Sequence, residues 1–497
     1  MTLARGRIAF FLILVWLAST LSCREKRPDT AVPVVLPPVG EDSSALVAAR
    51  PPERPAPGAS SSAPRESEPT AAGWKTILLS SPADIPVPAP PVSDERRELT
   101  ELRKLSAGTN SAALEAVSWW DVGGVRRWNE IARGLATSEH MNSPNAARMF
   151  ALLAVAQYDA LVTAWYYKYR FKRLAPAAAG VRGSAPVQSP ERFSYPSGAA
   201  AVAAASASVL SYVMEPQSKF LWRNAEIHRD SRVWAAAVYP SDATAGWEIG
   251  IAVGRKVREW GDADGARTAA LRPIPKQDEK WWTARQTMPG WGNVRPWLMK
   301  SVTDFRAPEP PAAGSPQFEA ALREVRLVAD SRSAEQLLLA RYWDFGVETI
   351  SVPGMWDEVG IDLMTRAGFS APRMARALAL ANMAMMDASI ACWETKFHYL
   401  VRRPTMMDPE IVTAMDVPEH PSYPSGHAAF SGAASAVLGY VLPEKARWLD
   451  ELAEQAAMSR LYGGLHYRFD NNAGLKMGRA VAQLAIARAR QDGGPPL

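Results

Sequence analysis

Tyr195-Pro-Ser-Gly198 and Tyr423-Pro-Ser-Gly426 are the same four residues, 423 − 195 = 228 positions apart. The same offset relates Trp165-Tyr-Tyr-Lys168 to Trp393-Glu-Thr-Lys396, Ser231-Arg232 to Ser459-Arg460, and Asp242 with Gly246 to Asp470 with Gly474. One offset held over this many positions without a gap marks an internal duplication, not a chance of short matches. Around these anchors apolar residues recur at three- and four-residue spacing in 146–167, 374–393 and 473–487, the period of helices, while strand signals are sparse. Pro443 stands where a first helical residue would, and Asp470 fits an N-cap. The expected fold class is all-α: two tandem, related helical bundles, the first over 99–300 with its connecting loops and the second over 301–490.

The two copies differ where chemistry would live. Arg403 is matched by Ala175, His427 by Ala199 and His466 by Val238, so the second copy alone keeps a full polar set. That set is Lys396, Arg403, Ser425, Gly426, His427, Arg460, His466 and Asp470. Three cations, a hydroxyl, a Gly amide at a helix start and two histidines are what a tetrahedral oxyanion requires. Cations neutralise its charge, Arg with a two-pronged fork, and the amides of a helix N-terminus add unpaired donors and the positive end of the helix dipole. Two histidines allow one to attack or coordinate the central atom while the other moves a proton. His398 and His420 match no such pattern and are set aside. Ser425 and Asp470 also fit plain helix caps, since Ser197 and Asp242 survive in the depleted copy. By the same logic Lys396 and Arg460, matched by Lys168 and Arg232, also fit structural ion pairs.

Lys396-x6-Arg403-Pro404, Pro424-Ser-Gly-His427 and Ser459-Arg460-x5-His466-x3-Asp470 resemble the three-part signature shared by type 2 phosphatidic acid phosphatases, soluble bacterial acid phosphatases and vanadium-dependent haloperoxidases. Met288-Pro-Gly-Trp-Gly-Asn-Val-Arg-Pro-Trp297, Phe305-Arg-Ala-Pro-Glu-Pro-Pro311, His420-Pro-Ser-Tyr-Pro-Ser-Gly-His427 and Gly463-Gly-Leu-His466-Tyr-Arg-Phe-Asp470 look like the bacterial haloperoxidase-related branch in particular. The resemblance spans roughly 117–488. It implies His466 as the axial group, bonding the vanadium of vanadate in a haloperoxidase or attacking phosphorus in a phosphatase. It further implies Lys396, Arg403, Arg460, Ser425 and the Gly426 amide around the equatorial oxygens, His427 as acid/base, and Asp470 orienting His466. The expected activity is peroxide-driven halide oxidation with vanadate as cofactor. The alternative is a phosphomonoesterase with a phosphohistidine intermediate and no cofactor. Peroxide with halide, or a phosphate ester, are the partners implied.

Composition bounds the rest. The 497 residues carry 56 Lys plus Arg against 51 Asp plus Glu, a net +5, too balanced for a dedicated nucleic-acid binder. Hydrophobic residues at 47% supply a large core, and two cysteines, Cys23 and Cys392, exclude a disulfide framework. Arg5 and Arg7 precede an apolar run over 8–18 and then Ser22-Cys23, the layout of a signal peptide, expected over 1–23 and of lipoprotein type with Cys23 lipidated. Residues 24–73 hold 10 prolines and no aromatic residue, so a Pro/Ala/Ser-rich tether is expected over 24–98. Export to the periplasm, soluble or membrane-tethered through that anchor, follows as an expectation.

Overall fold

The computed structural model describes residues 68–91, 94–181, 183, 191–269, 287–346 and 349–495. The expected signal peptide, Cys23 and the tether up to residue 67 lie outside the described residues. What is described is all-α, with no strand beyond an isolated bridge between Leu174 and Phe193.

The first half holds α1 (Glu95–Ala107), α2 (Ser111–Asp121), α3 (Gly124–Ser138), α4 (Ser143–Phe171), α5 (Gly198–Val213), α6 (Ser218–Trp234) and α7 (Pro240–Asp262). The second holds α8 (Pro316–Ser331), α9 (Ala334–Tyr342), α10 (Ser351–Arg366), α11 (Ala371–Tyr399), the single turn α12 (Pro404–Met407), α13 (Gly426–Val441), α14 (Ala446–Tyr462) and α15 (Arg468–Ala489). The starts of α4 and α11, α5 and α13, α6 and α14, and α7 and α15 all differ by 228 (371 − 143, 426 − 198, 446 − 218, 468 − 240). The sequence dictates these matched boundaries locally. Asn142 caps α4 and Ser370 caps α11 by accepting the amide three residues on, each with Pro in the first turn, and both helices end on a left-handed residue, Lys172 and Leu400.

The duplication reaches into the stretch assigned to the tether. Residues 68–91 form a strap on the body, and 291–311 form its counterpart. Trp74 and Trp291 anchor them, 1% and 0% exposed. Asp159, buried in α4, accepts the amides of Ile77 and Leu78 at 2.7 and 2.8 Å; Asp387 in α11 accepts those of Trp297, Leu298 and Met299. Burial pushes both carboxyls up to about 6, against the opposing pull of those amides. Proline carries no N–H, so the Pro-rich ends of the straps are poor in donors, and tyrosine hydroxyls donate to their carbonyls. Tyr167 and Tyr195 donate to the carbonyls of Ile85 and Pro88, and Tyr423 donates to that of Pro308. The tether therefore does not run to residue 98: its last part belongs to the body, because a few buried aromatic and amide contacts outweigh an unpromising average composition. The boundary at 300/301 likewise cuts the second strap.

Each strap also reaches the opposite half. The Lys75 amide donates to the Asp492 carbonyl at 2.6 Å and the Arg295 amide to that of Asp264 at 2.8 Å. Trp297 stacks on Trp260 with ring centroids 3.5 Å apart. Long helices α4 and α11 pack against each other at the centre. Among the described residues α4 is the one helix long and apolar enough to cross a membrane, yet 94% of its apolar window lies buried inside the protein. It is a core helix.

In each half two helices meet almost backbone to backbone. A Cβ on Gly474 would lie 2.5 Å from the Ser425 carbonyl oxygen, and one on Gly478 2.1 Å from that of Ala429. Gly246 and Gly250 play the same part against Ser197 and Ala201. This approach seats the start of α15 against the start of α13, where the Ser425 amide donates to the Asp470 carbonyl at 3.0 Å. Gly250→Ala and Gly478→Ala should each cost about 1–3 kcal/mol, the usual penalty for overpacking a tight core. Denaturant unfolding of the two variants, side by side, checks that the costs match while only Gly478→Ala weakens phosphate binding.

Candidate active site

All eight residues expected from sequence converge at one place. Lys396 comes from the last turn of α11, Arg403 from the N-cap of α12, Ser425 to His427 from the start of α13, Arg460 from the last turn of α14, and His466 and Asp470 from the start of α15. Lys396, Arg403 and Arg460 are 0%, 0% and 1% exposed. Their partners are mostly carbonyl dipoles. Lys396 Nζ donates to the carbonyls of Pro421, Ser422 and Pro424 at 2.7, 2.9 and 2.6 Å. Arg403 donates to the carbonyls of His420 and Leu465, and Arg460 to that of Ala340. Asp344, half-exposed, reaches Arg460 only at 3.8 Å.

The hydrogen bonds fix both tautomers. A carboxylate only accepts, so His466 Nδ1 carries the proton it donates to Asp470 Oδ2 at 2.8 Å, and its Nε2 lone pair faces outward, accepting from Arg403 Nη1 at 2.8 Å. A carbonyl only accepts too, so His427 Nε2 donates to Trp343 O at 2.9 Å and Nδ1 keeps the lone pair. Burial, with the cations around them, lowers both imidazoles well below the ordinary histidine value. Burial also pulls Lys396 down to about 7 and Arg403 and Arg460 to about 10, and lifts Asp470 to about 6 despite the Ser422 hydrogen bond and the nearby cations.

The depleted half shows what this cluster looks like when it is neutralised. Lys168, the counterpart of Lys396, keeps the carbonyl of Phe193 but is ion-paired to Glu191 at 2.5 Å. Arg232, the counterpart of Arg460, pairs with Asp121 at 2.8 Å. Arg173 holds Asp242 and Glu98 together at 2.8 and 2.7 Å, beside Val238 where the other half has His466. So the first copy matches Lys168, Arg173 and Arg232 with Glu191, Asp242, Glu98 and Asp121. The second sets Lys396, Arg403 and Arg460 against Asp470 and the remote Asp344. Buried charge left so incompletely paired favours an anionic ligand. The first-turn amides of α13, which have no intrahelical acceptor, complete a donor set that fits a tetrahedral oxyanion such as vanadate or phosphate.

Two residues of the site were missed. Ser422 donates to Asp470 Oδ2 at 2.5 Å, fixing the carboxylate that orients His466. Its signal was present: Ser194 stands at the same offset, one residue before the repeated Tyr-Pro-Ser-Gly. His420 accepts from Arg403 Nη2 at 3.0 Å and packs on Trp393. Its counterpart is Arg192, so the duplication gave no hint of it.

Residues 374–492, which carry every one of these groups, match the PAP2 superfamily. The chain shares its fold with a bacterial vanadium-dependent iodoperoxidase at 24% identity and TM-score 0.59, over 73% of this chain and 95% of that one. It is similar also to the holo-type bacterial vanadium-dependent chloroperoxidase, at 14% identity and TM-score 0.54, over 72% and 93% of the two chains. The chain thus shares its fold with these bacterial haloperoxidases. No curated protein is a significant match.

Two outcomes are expected. Lys168→Ala should lower stability by about 1–3 kcal/mol through the orphaned Phe193 carbonyl and Glu191, yet leave phosphate affinity per folded molecule intact, as paired thermal melts and calorimetric titrations would register. His466 in the ligand-free protein should stay neutral as pH falls to about 6, where an unperturbed imidazole is mostly protonated; nitrogen-15 chemical shifts of the ring read this directly.

Proposed function

We propose that the chain is an exported, vanadium-dependent haloperoxidase-like enzyme that binds vanadate in its second half and oxidises halide with hydrogen peroxide. The observation that carries the proposal is the set of buried, incompletely paired cations around a histidine with an outward lone pair. The fold shared with iodo- and chloroperoxidases along most of the chain supports the choice of activity. Bound vanadate would supply the Lewis acidity that activates peroxide for two-electron oxidation of the halide. The chain's own residues do the rest. His466 Nε2 would bond the oxyanion, Nδ1 being held by Asp470, and Asp470 by Ser422. Lys396, Arg403 and Arg460 would neutralise its charge, and Ser425 with the Gly426 amide would contribute donors at the helix start. His427 accepts or returns a proton at Nδ1, its ring fixed by the Trp343 carbonyl. The export reading, with Cys23 lipidated and the enzyme held in the periplasm, rests on the sequence of residues 1–67.

A second reading, a phosphatase in which His466 attacks phosphorus, draws on the PAP2 superfamily match of the same segment. The pocket suits both because five-coordinate vanadate resembles the phosphoryl-transfer transition state. The sign of one response separates them. Adding vanadate to metal-free protein should switch on peroxide- and halide-dependent bromination of a reporter dye, and should suppress residual hydrolysis of an aryl phosphate. Vigorous hydrolysis with no vanadate-dependent bromination would establish the phosphatase. His466→Ala should abolish turnover, whereas His427→Ala should reduce it by about 10²–10⁴ with oxyanion binding largely kept; steady-state rates and calorimetric titrations of the two variants decide the division of labour.

A further inference from the structure

Met415 lies in the loop that follows α12, and its sulfur lies against Arg460 of the anion site. Arg460 Nη1 donates to Met415 Sδ at 3.7 Å, while Nε and Nη2 are taken up by Ser459 Oγ and the Ala340 carbonyl. Nη1 is thus the least firmly held edge of that guanidinium, meeting the soft, weak acceptor of Met415 and, only at 3.8 Å, Asp344 Oδ1. The position of the sulfur is built in. The Ala414 amide donates to the Gly463 carbonyl at 3.1 Å, Ile411 and Thr413 pack on Gly464, and a Cβ on Gly463 would lie 2.8 Å from Met415 Sδ. Met415 is half-buried and confined by the loop.

We propose that Met415 is a modification site, oxidised to the sulfoxide by hypohalous acid formed in the active site, and that the sulfoxide then weakens oxyanion binding. The inference rests on the haloperoxidase reading for its oxidant. In the step, the sulfur lone pair attacks the halogen of hypohalous acid and the halogen–oxygen bond breaks to release hydroxide; water then displaces halide from sulfur and loses two protons, one of which neutralises the hydroxide, so that sulfoxide, halide and one proton result. Sulfur loses two electrons and the halogen gains them. A sulfoxide oxygen is a far stronger acceptor than a thioether. It would hold Arg460 Nη1 against the incoming oxyanion, lowering affinity about tenfold, the worth of one hydrogen bond to a charged group. Sulfoxide reductases reverse the change.

The test has two arms, each comparing wild type with Met415→Leu. In the first, full-length protein receives sub-stoichiometric reagent hypobromous acid, followed by peptide mass spectrometry and calorimetric titration with inorganic phosphate. The expected result is an added oxygen on Met415 before Met141 or Met458, an approximately tenfold weaker phosphate affinity in wild type only, and recovery with sulfoxide reductase. Oxidation of other methionines ahead of Met415, or Met415 sulfoxide with unchanged phosphate affinity, overturns the proposal. In the second arm, vanadate-loaded protein turns over peroxide and bromide in the presence of excess free methionine as scavenger. Met415 sulfoxide should accumulate with turnover despite the scavenger. Bromide oxidation without it overturns the proposal, whereas absence of bromide oxidation overturns the functional reading and leaves the reagent arm to decide whether Met415 controls the site.

Discussion

Three cations buried with too few carboxylates is the constraint on which the rest of this structure depends. Lys396, Arg403 and Arg460 sit within a helical core, and an unpaired ion there costs several kcal/mol after relaxation. The fold meets part of that cost with dipoles. The turn over 420–425 directs the carbonyls of His420, Pro421, Ser422 and Pro424 at Lys396 and Arg403, and the carbonyls of Leu465 and Ala340 serve the guanidiniums. Dipoles make the cations tolerable without cancelling their charge, and that is the condition an oxyanion site needs.

The depleted copy is an internal control for this argument. It keeps the helices, the close approach of Gly246 to Ser197, and even the bond from Lys168 to the Phe193 carbonyl. What differs is where its carboxylates go. Glu191, Asp121 and Glu98 each take a cation, and Arg173 covers Asp242, the counterpart of the residue that orients His466. Absence of the two histidines and of the Arg403 counterpart goes together with pairing of the remaining cations by acids. Once no ligand is required, an unneutralised cluster is only a penalty, and pairing it restores stability. The straps tie the two halves into one body, each bound to its own long helix and to the far end of the other half, so the active copy rests on the inactive one.

Most of this was legible in sequence because it repeats. The constant offset related the stretches that form paired helices to one another, and the positions where the copies disagree picked out Arg403, His427 and His466. What escaped had no period or pattern to carry it. The straps are non-helical and Pro-rich, and their attachment depends on buried Asp159 and Asp387 far along the chain, invisible to any local window. Ser422 was in the repeat but one residue outside the quoted motif. His420 acts through Arg403, a tertiary relation that its Arg192 counterpart could not reveal. Nor could spacing show that Lys396 spends all three of its protons on backbone carbonyls.

That last arrangement bears on how a ligand must enter. In the ligand-free geometry Arg403 Nη1 lies on His466 Nε2, the lone pair that an axial bond would use. On the proposed function, an oxyanion that bonds His466 would have to take the guanidinium from the imidazole, and would thereby free the atom it bonds. The exchange is balanced: Arg403 gives up a neutral nitrogen acceptor for a charged oxygen, the stronger partner, while Asp470 and Ser422 keep the ring from turning once Nε2 is released. Neutrality of His466 matters here, since a protonated ring would offer no lone pair, and burial, with the same cations beside it, keeps the proton off. The buried cluster thus holds the imidazole neutral while Arg403 covers its lone pair.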